Sequence, residues 1–337
     1  LILKTLVYLI RNGLPIGGAL EHNNSSFYYL PDPGPGHTEA ISDVIEDIAI
    51  HEFMHILTPL NLRTQHIHNW DYTDPVISKH LWLYEGVTEY MSLIIQANGG
   101  MLSPKEFIAW RLERKIRNGE DFPFDKMSFT EMSAGVLDKP YKKNYNQVYQ
   151  RGAVLGLLLD IEIIRLTEGR KRLIDVMYEL INDFGPTNPM EEDRVFELFT
   201  EKVHPDLRDF FTKYIEGREA LPYAEILQNV GVIYETDTTV SVPRHPLRDY
   251  GGKYTNIYMG GKRRIKKVGK KDEIGFQAGD KVDRNFYFDT YFDDYGNPLP
   301  EGMKVAFEVE RDTTEITLYD IISYKEDEVS HQLRIMK

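Results

Sequence analysis

Two histidines four residues apart, with a glutamate beside the first, give His51-Glu52-Phe53-Met54-His55 the strongest chemical potential in this sequence. On a helix each residue advances about 100°, so positions i and i+4 lie within about 40° of each other and one turn apart. Two imidazoles so placed can grip one ion, and zinc takes nitrogen ligands at about 2.0–2.1 Å. Glu52 falls within the same arc, where it meets a water on the metal and not the metal itself, which is the position of a general base. The flanking Ile45, Ile48, Phe53, Ile56 and Leu57 are apolar and call for a buried, rigid helix. Asp43 and Glu46 are suited to cap its start, and Pro59 to end it. A core helix with two accidental histidines is the plain alternative, but buried polar groups at this density need partners.

A catalytic zinc needs a third protein ligand. The segment from His80 to Asn98 reads as a helix apolar almost all round and closed by Gly99-Gly100. Acids inside such a helix are costly unless paired or bound to metal. Glu85 is the candidate ligand. Glu89, one turn further on the same face, is placed to accept the outer N–H of a ligand histidine.

The elements that must position these residues follow from composition and order. The chain has 337 residues, enough for two domains, and 42% are hydrophobic, enough for real cores. It opens at Leu1 and not Met, which points to a fragment or processed product; residues 1–10 read as a strand and not a targeting signal. No apolar run is long enough to span a membrane. The absence of cysteine excludes a disulfide framework and thiol catalysis. It suits a cytoplasm or a bacterial envelope equally, so the compartment stays open. A net charge of −13 argues against a nucleic-acid role. The basic run Lys262 to Lys271 is broken by Ile265 and Val268 and reads as a solvated strand edge.

Residues 4–30 look like strands and turns, with Phe27 to Leu30 strand-like, and 31–36 form a Pro/Gly loop. His66, His68 and His80 have no ligand spacing and read as surface or packing residues. Ser103-Pro104-Lys105-Glu106 starts a helix that ends near Gly119. A helix from about 146 to 165 carries Gly152, Ala153 and Gly156, which leave room for a close neighbour. More helices are expected over 170–184, 191–202, 205–216 and 222–229. After Val230 short β-rich runs such as 305–310 and 315–318 mark a separate domain. The fold class expected is α+β, with a mainly helical domain over 1–229 followed by a small β-rich domain over 230–337.

Four motifs in order, G-A-L-E-H, H-E-F-M-H, W-L-Y-E-G-V-T-E-Y and Y-Q-R-G, resemble those of the glycyl aminopeptidase-like gluzincins, metallopeptidase family sixty-one. The similarity covers about residues 4–229. It implies a thermolysin-like catalytic domain holding one zinc per chain on His51, His55 and Glu85, with Glu52 as general base. Tyr149 maps to the tyrosine that donates to the oxyanion. Glu21 maps to the glutamate of the G-A-M-E-N strand that grips the substrate's α-amine; Leu20 and His22 depart from that pattern. Gly18 and Ala19 belong to the same edge strand, which can add a peptide as a further β-strand. Family members also carry an N-terminal β-domain, expected to precede this chain, and a PDZ domain. Residues 257–318 resemble a degenerate one, with Gly275 to Val282 as its turn and no legible carboxylate-binding loop, leaving room for a protein partner.

Three functions fit these residues: a zinc aminopeptidase acting on peptide substrates, which G-A-L-E-H favours; a zinc endopeptidase with the same centre; and a PDZ-like binding or scaffold protein with a dead site. Intact ligands and base argue against the third.

Overall fold

Runs of aromatic and β-branched residues at the start of the chain pair side by side in the computed structural model, which describes residues 5–11, 17–31, 38–254, 263–269, 274–283, 286–293 and 298–335. Strand β1 (Thr5–Arg11) lies parallel to β3 (Ser25–Pro31), and β2 (Gly18–Glu21) lies antiparallel on the other side of β3. The order β1-β3-β2 leaves β2 at the edge among the described residues. Side chains alternate across a strand, so Ala19 and Glu21 share one face and Leu20, 53% exposed opposite Phe27, takes the other. The 31–36 loop expected from the sequence falls, after Pro31, outside the described residues.

Helix α1 (Thr38–Met54) packs against β2 and β3. It begins before Asp43, so Asp43 and Glu46 sit inside the helix and do not cap it. It also stops earlier than Pro59. Ile56 and Leu57 donate to the carbonyls three residues back, tightening the last turn, so His55 lies just past the regular helix. Two turns later comes the short α2 (Gln65–His68). The apolar segment expected as one helix is a π-helical turn, Trp82–Val87, running into α3 (Thr88–Asn98). Gly99 caps it and Gly100 takes a φ of +73°, as a glycine can.

The Ser103–Glu106 capping box forms as expected. It opens a second π-helical stretch, Glu106–Leu112, that continues as α4 (Glu113–Gly119). Next come α5 (Phe129–Ala134), a 3-10 stretch Tyr141–Val148, and α6 (Arg151–Leu166). Tyr149 therefore sits in the turn between two helices and not within one. Helix α6 is buried along most of its length and is the axis of the assembly. Around it stand α3, α4, α7 (Leu173–Asp183), α9 (Leu207–Tyr214) and α10 (Tyr223–Leu227), with α8 (Val195–Lys202) behind α7 and α9. Of the three extra histidines, His80 is fully buried. It accepts from the Trp82 indole N–H at 3.0 Å and donates to the Glu192 carbonyl at 2.8 Å, a packing role.

The β-rich part begins with β4 (Val232–Pro243). A five-stranded sheet follows in the order β5 (Lys253–Tyr254), β6 (Arg263–Lys267), β7 (Lys281–Val282), β8 (Lys304–Arg311), β9 (Thr314–Ile321), with α11 (Phe286–Tyr291) packed on β8. Strand β10 (Tyr324–Ile335) returns along β4. The basic run is thus not a sheet edge: β6 lies between β5 and β7, with Ile265 buried and Arg264, Lys266 and Lys267 exposed. Its Lys262, Lys270 and Lys271 lie outside the described residues. In the Gly275 to Val282 turn, Asp280 is buried and accepts from Arg311 at 2.8 Å through both oxygens, a structural ion pair. Within 257–318, residues 257–262, 270–273, 284–285 and 294–297 lie outside the described residues.

Two main hydrophobic clusters result. One runs from Met54 through the helices to Leu227; the other joins Leu247, Ile265, Phe276, Val282, Phe286, Phe307, Val309 and Leu318. The β4–β10 ribbon bridges them, because Val232 and Leu333 are buried in the first cluster. Two buried aliphatic side chains contribute about 3–6 kcal/mol together. A chain of residues 1–230 is expected to fold with a melting temperature lower by about 10 °C in calorimetry. An unchanged melting temperature would show that the ribbon adds nothing to the helical part.

Candidate active site

Helix α1 presents His51 and Glu52 near its end, and the following turn presents His55. The two imidazoles stand edge to face with centroids 4.9 Å apart. Each has its outer nitrogen tied. His51 Nδ1 donates to Glu89 Oε2 at 2.8 Å, and His55 Nδ1 donates to the Thr58 carbonyl at 2.9 Å. Both Nε2 atoms consequently face inward, where Glu85 Oε2 lies 3.4 Å from one and 3.9 Å from the other. A ligand atom from each of His51, Glu52 and His55 falls within 4.8 Å of the others. Glu85 comes from the π-helical turn and Glu89 from the first turn of α3. A π turn changes the angular step between successive side chains, and such turns recur at functional sites.

The donor set can be tested for fit to a zinc ion. Burial lowers the His51 pKa, but its hydrogen bonds with Glu85 and Glu89 outweigh that and raise it to about 10. Without another cation, the carboxylates draw a proton onto the imidazole. His55, buried and facing the same site, is lowered, burial outweighing the attraction of Glu85 and Glu21. Two imidazole nitrogens and a carboxylate oxygen converging under that demand for positive charge suit a divalent metal ion such as zinc, with a fourth position open. The residues fit the ion.

The expected Glu89 partnership with His51 is present, and a residue absent from the sequence reading explains how Glu89 can be there. Lys115 of α4, almost fully buried, donates to Glu89 Oε1 at 2.5 Å and to the Tyr149 carbonyl at 3.0 Å. Burial opposes ionisation of Glu89, but the Lys115 ammonium and the His51 imidazole hold its pKa at about 2. Nothing in the local pattern marked Lys115, because its contacts lie 26 and 34 residues away.

Tyr149 stands beside His51, ring centroids 5.7 Å apart. Burial, with the negative charge of Glu85 next, raises its phenol well above the usual range, so it remains a donor at neutral pH. Its hydroxyl lies 3.1 Å from that of Tyr145, which the sequence reading also missed; the four-residue spacing of two tyrosines was the only signal. The tyrosine turn is brought to the glutamate helix by a glycine contact. A Cβ on Gly86 would lie 2.6 Å from the Gly152 backbone, and one on Gly152 2.8 Å from the Gly86 Cα. Only a pair of glycines permits this approach.

On the other wall, β2 carries Glu21 on the face toward α1. Its negative charge acts on both His55 and Tyr145. A cavity of about 700 Å³ opens beside these groups. Gly18, Ala19, His51, Glu52, Glu89 and Tyr149 line it, together with Tyr145, Arg111 and Arg114. His51, His55, Glu85, Glu89 and Tyr149 thus lie together, and Gly18, Ala19 and Glu52 line the cavity beside them.

An HExxH pair with a carboxylate from a following helix and a facing tyrosine is an arrangement suited to metal-assisted hydrolysis. Residues 45–155 match the family model of the M61 glycyl aminopeptidases. The fold is similar to the crystal structure of an aminopeptidase N family protein from Idiomarina loihiensis, with a TM-score of 0.62 and 20% identity. That similarity covers 99% of this chain and 60% of the other, so the chain spans less than two thirds of the protein it resembles. No curated protein matches the chain.

Removing one partner of a buried ion pair costs about 3–5 kcal/mol. Loss of an outer partner of a metal ligand costs about 10–100-fold in metal affinity. Lys115→Met is expected to show both, in denaturant unfolding of the metal-free protein and in competitive zinc titration. If neither moves, Glu89 does not depend on the ammonium.

Proposed function

We propose that this chain is a zinc-dependent aminopeptidase that removes N-terminal residues from peptides, with one zinc per chain held by His51, His55 and Glu85. The observation that carries the reading is Glu21. It sits on a glycine-flanked edge strand, its charge acts at His55 and Tyr145, and it is well placed to pair with a protonated amine. In such a site a zinc ion supplies polarisation of a carbonyl and a lowered pKa for water.

The protein's own groups do the rest. The edge of β2, unpaired among the described residues, aligns the peptide as an added strand, and Gly18 and Ala19 let the backbones approach. Glu21 fixes the amine, which sets the scissile bond one residue along. The Glu52 carboxylate accepts a proton from the attacking water and passes it to the leaving nitrogen. The Tyr149 hydroxyl donates to the carbonyl oxygen as negative charge builds there. Glu89 keeps the His51 ring oriented through Nδ1.

We further assign residues 1–229 to a thermolysin-like peptidase domain and 230–337 to a β-rich PDZ-like module, a place for a protein partner. The second cluster, drawn wholly from residues 247–318, supports the division, although Val232 and Leu333 of the β4–β10 ribbon join the first.

Purified protein is expected to hold about one zinc per chain, as one set of three ligands implies. Glu52→Gln is expected to keep that zinc while kcat falls about 10²–10⁴-fold, the usual contribution of a general base. Peptide hydrolysis at the normal rate by a zinc-loaded Glu52→Gln enzyme would remove Glu52 from the role. Acetylation of the substrate's N-terminus is expected to abolish cleavage, and Glu21→Ala to lose most activity on free-amine peptides with zinc retained. Should acetylated and free peptides be cut equally fast, the enzyme is an endopeptidase using the same residues.

A further inference from the structure

We infer that Tyr145 is a positioning residue for the reaction: its hydroxyl donates to the Tyr149 hydroxyl and so aims the Tyr149 O–H at the carbonyl oxygen under attack. The inference rests on the proposed function, in which Tyr149 is the oxyanion donor. Tyr145 belongs to the 3-10 stretch Tyr141–Val148, and Tyr149 follows in the turn before α6. Their rings stand edge to face, with centroids 5.8 Å apart and planes at 89°, and their oxygens are 3.1 Å apart. Both side chains line the cavity that also holds His51 and Glu52.

Which hydroxyl donates follows from a count of hydrogens. A phenol has one hydrogen to give and lone pairs that receive. An ordinary tyrosine ionises at about pH 10, and both of these are raised, by burial first and the charge of Glu85 next, so each keeps its hydrogen at neutral pH. The Tyr149 hydroxyl also bonds the Glu85 carboxylate, which can only receive. During turnover the carbonyl oxygen becomes the acceptor instead. In either state the Tyr149 hydrogen points into the site, so the hydrogen shared with Tyr145 comes from Tyr145.

The freedom left to Tyr149 is small and specific. Lys115 pins its main-chain carbonyl at 3.0 Å, and its ring lies against that of His51. Neither contact fixes the torsion of the O–H. Conjugation keeps a phenolic O–H near the plane of its ring, in one of two opposed directions. A donor arriving on one side leaves the other for the hydrogen. Tyr145 thus removes the orientation that points away from the centre, and a hydroxyl that receives a hydrogen bond is a stronger donor. The fold itself does not need the Tyr145 hydroxyl. That residue is 44% exposed, and its neighbours Asn144, Gln147 and Val148 are the ones that bury and hold the stretch.

The test is a double-mutant cycle on the zinc-loaded full chain with alanyl p-nitroanilide as substrate, zinc content and circular dichroism being checked for every variant. Tyr145→Phe removes one oxygen and keeps the ring. It is expected to lower kcat about 3–10-fold, the scale of one neutral hydrogen bond, with KM within about twofold. Tyr149→Phe is expected to lower kcat about 10²–10³-fold. Placed on top of Tyr149→Phe, Tyr145→Phe is expected to change kcat less than about twofold, because no hydroxyl is left to aim. A packing role would lower kcat by the same factor in both backgrounds, and such additivity overturns the inference. A Tyr145→Phe enzyme with undiminished kcat, or with its loss in KM, overturns it as well. Each of these results leaves the aminopeptidase reading standing. An undiminished kcat in Tyr149→Phe removes Tyr149 as the oxyanion donor and the inference with it. Failure of the unsubstituted chain to cleave alanyl p-nitroanilide or alanyl-alanine overturns both the aminopeptidase reading and the inference.

Discussion

A carboxylate buried among helices must be matched by positive charge, and Glu89 is matched from two directions. His51 reaches it from α1 and Lys115 from α4, at 2.8 and 2.5 Å. That single acid thereby fastens three helices at the point where the proposed metal site begins. It orients the His51 ring so that Nε2 faces Glu85, and through Lys115 it reaches the carbonyl of Tyr149. His51 of α1, Glu89 of α3, Lys115 of α4 and the backbone carbonyl of Tyr149 thus share one network of charge-assisted bonds. Such a network is strong when complete and costly when one member is missing, because each remaining charge is then buried without its partner.

Electrostatics alone would not bring Tyr149 to the site. The Gly86–Gly152 contact does, by letting the π-helical turn and the start of α6 touch backbone to backbone. Gly156, one turn further along α6, continues the contact: a Cβ there would meet the Cβ of Tyr90 at 3.0 Å. Close backbone approach and the buried ion pair thus act together. The first sets the distance between Glu85 and Tyr149, and the second sets the orientation of the rings between them.

What could be read from the sequence divides along the same physical line. His51, Glu52 and His55 were legible because one helical turn relates them, and Glu85 and Glu89 because acids in an apolar helix demand a reason. Gly152 and Gly156 were legible as contact positions but not their partners. The π-helical character of Trp82–Val87 was hidden, since it depends on packing in a fully buried segment and not on local propensity. Lys115 was hidden because its meaning lies in contacts across the fold. The start of α1 was misread for a related reason: Asp43 and Glu46 are good capping residues, but the helix continues through them to Thr38. Strand β6 was misread because its charges suggested an edge, whereas the one buried residue, Ile265, anchors it inside the sheet while its basic side chains reach solvent.

The polarity of β2 links these features to the proposed activity. An edge strand can accept a peptide in either direction, so hydrogen bonding along β2 does not by itself distinguish an exopeptidase from an endopeptidase. A negative charge at only one end of the strand breaks that symmetry. Under the proposed reading Glu21 pairs with the end of a peptide that carries an ammonium, and the rest of that peptide runs along β2 toward Gly18. Binding energy at the end of a peptide, away from the reacting bond, can fix that bond's position without contacting it.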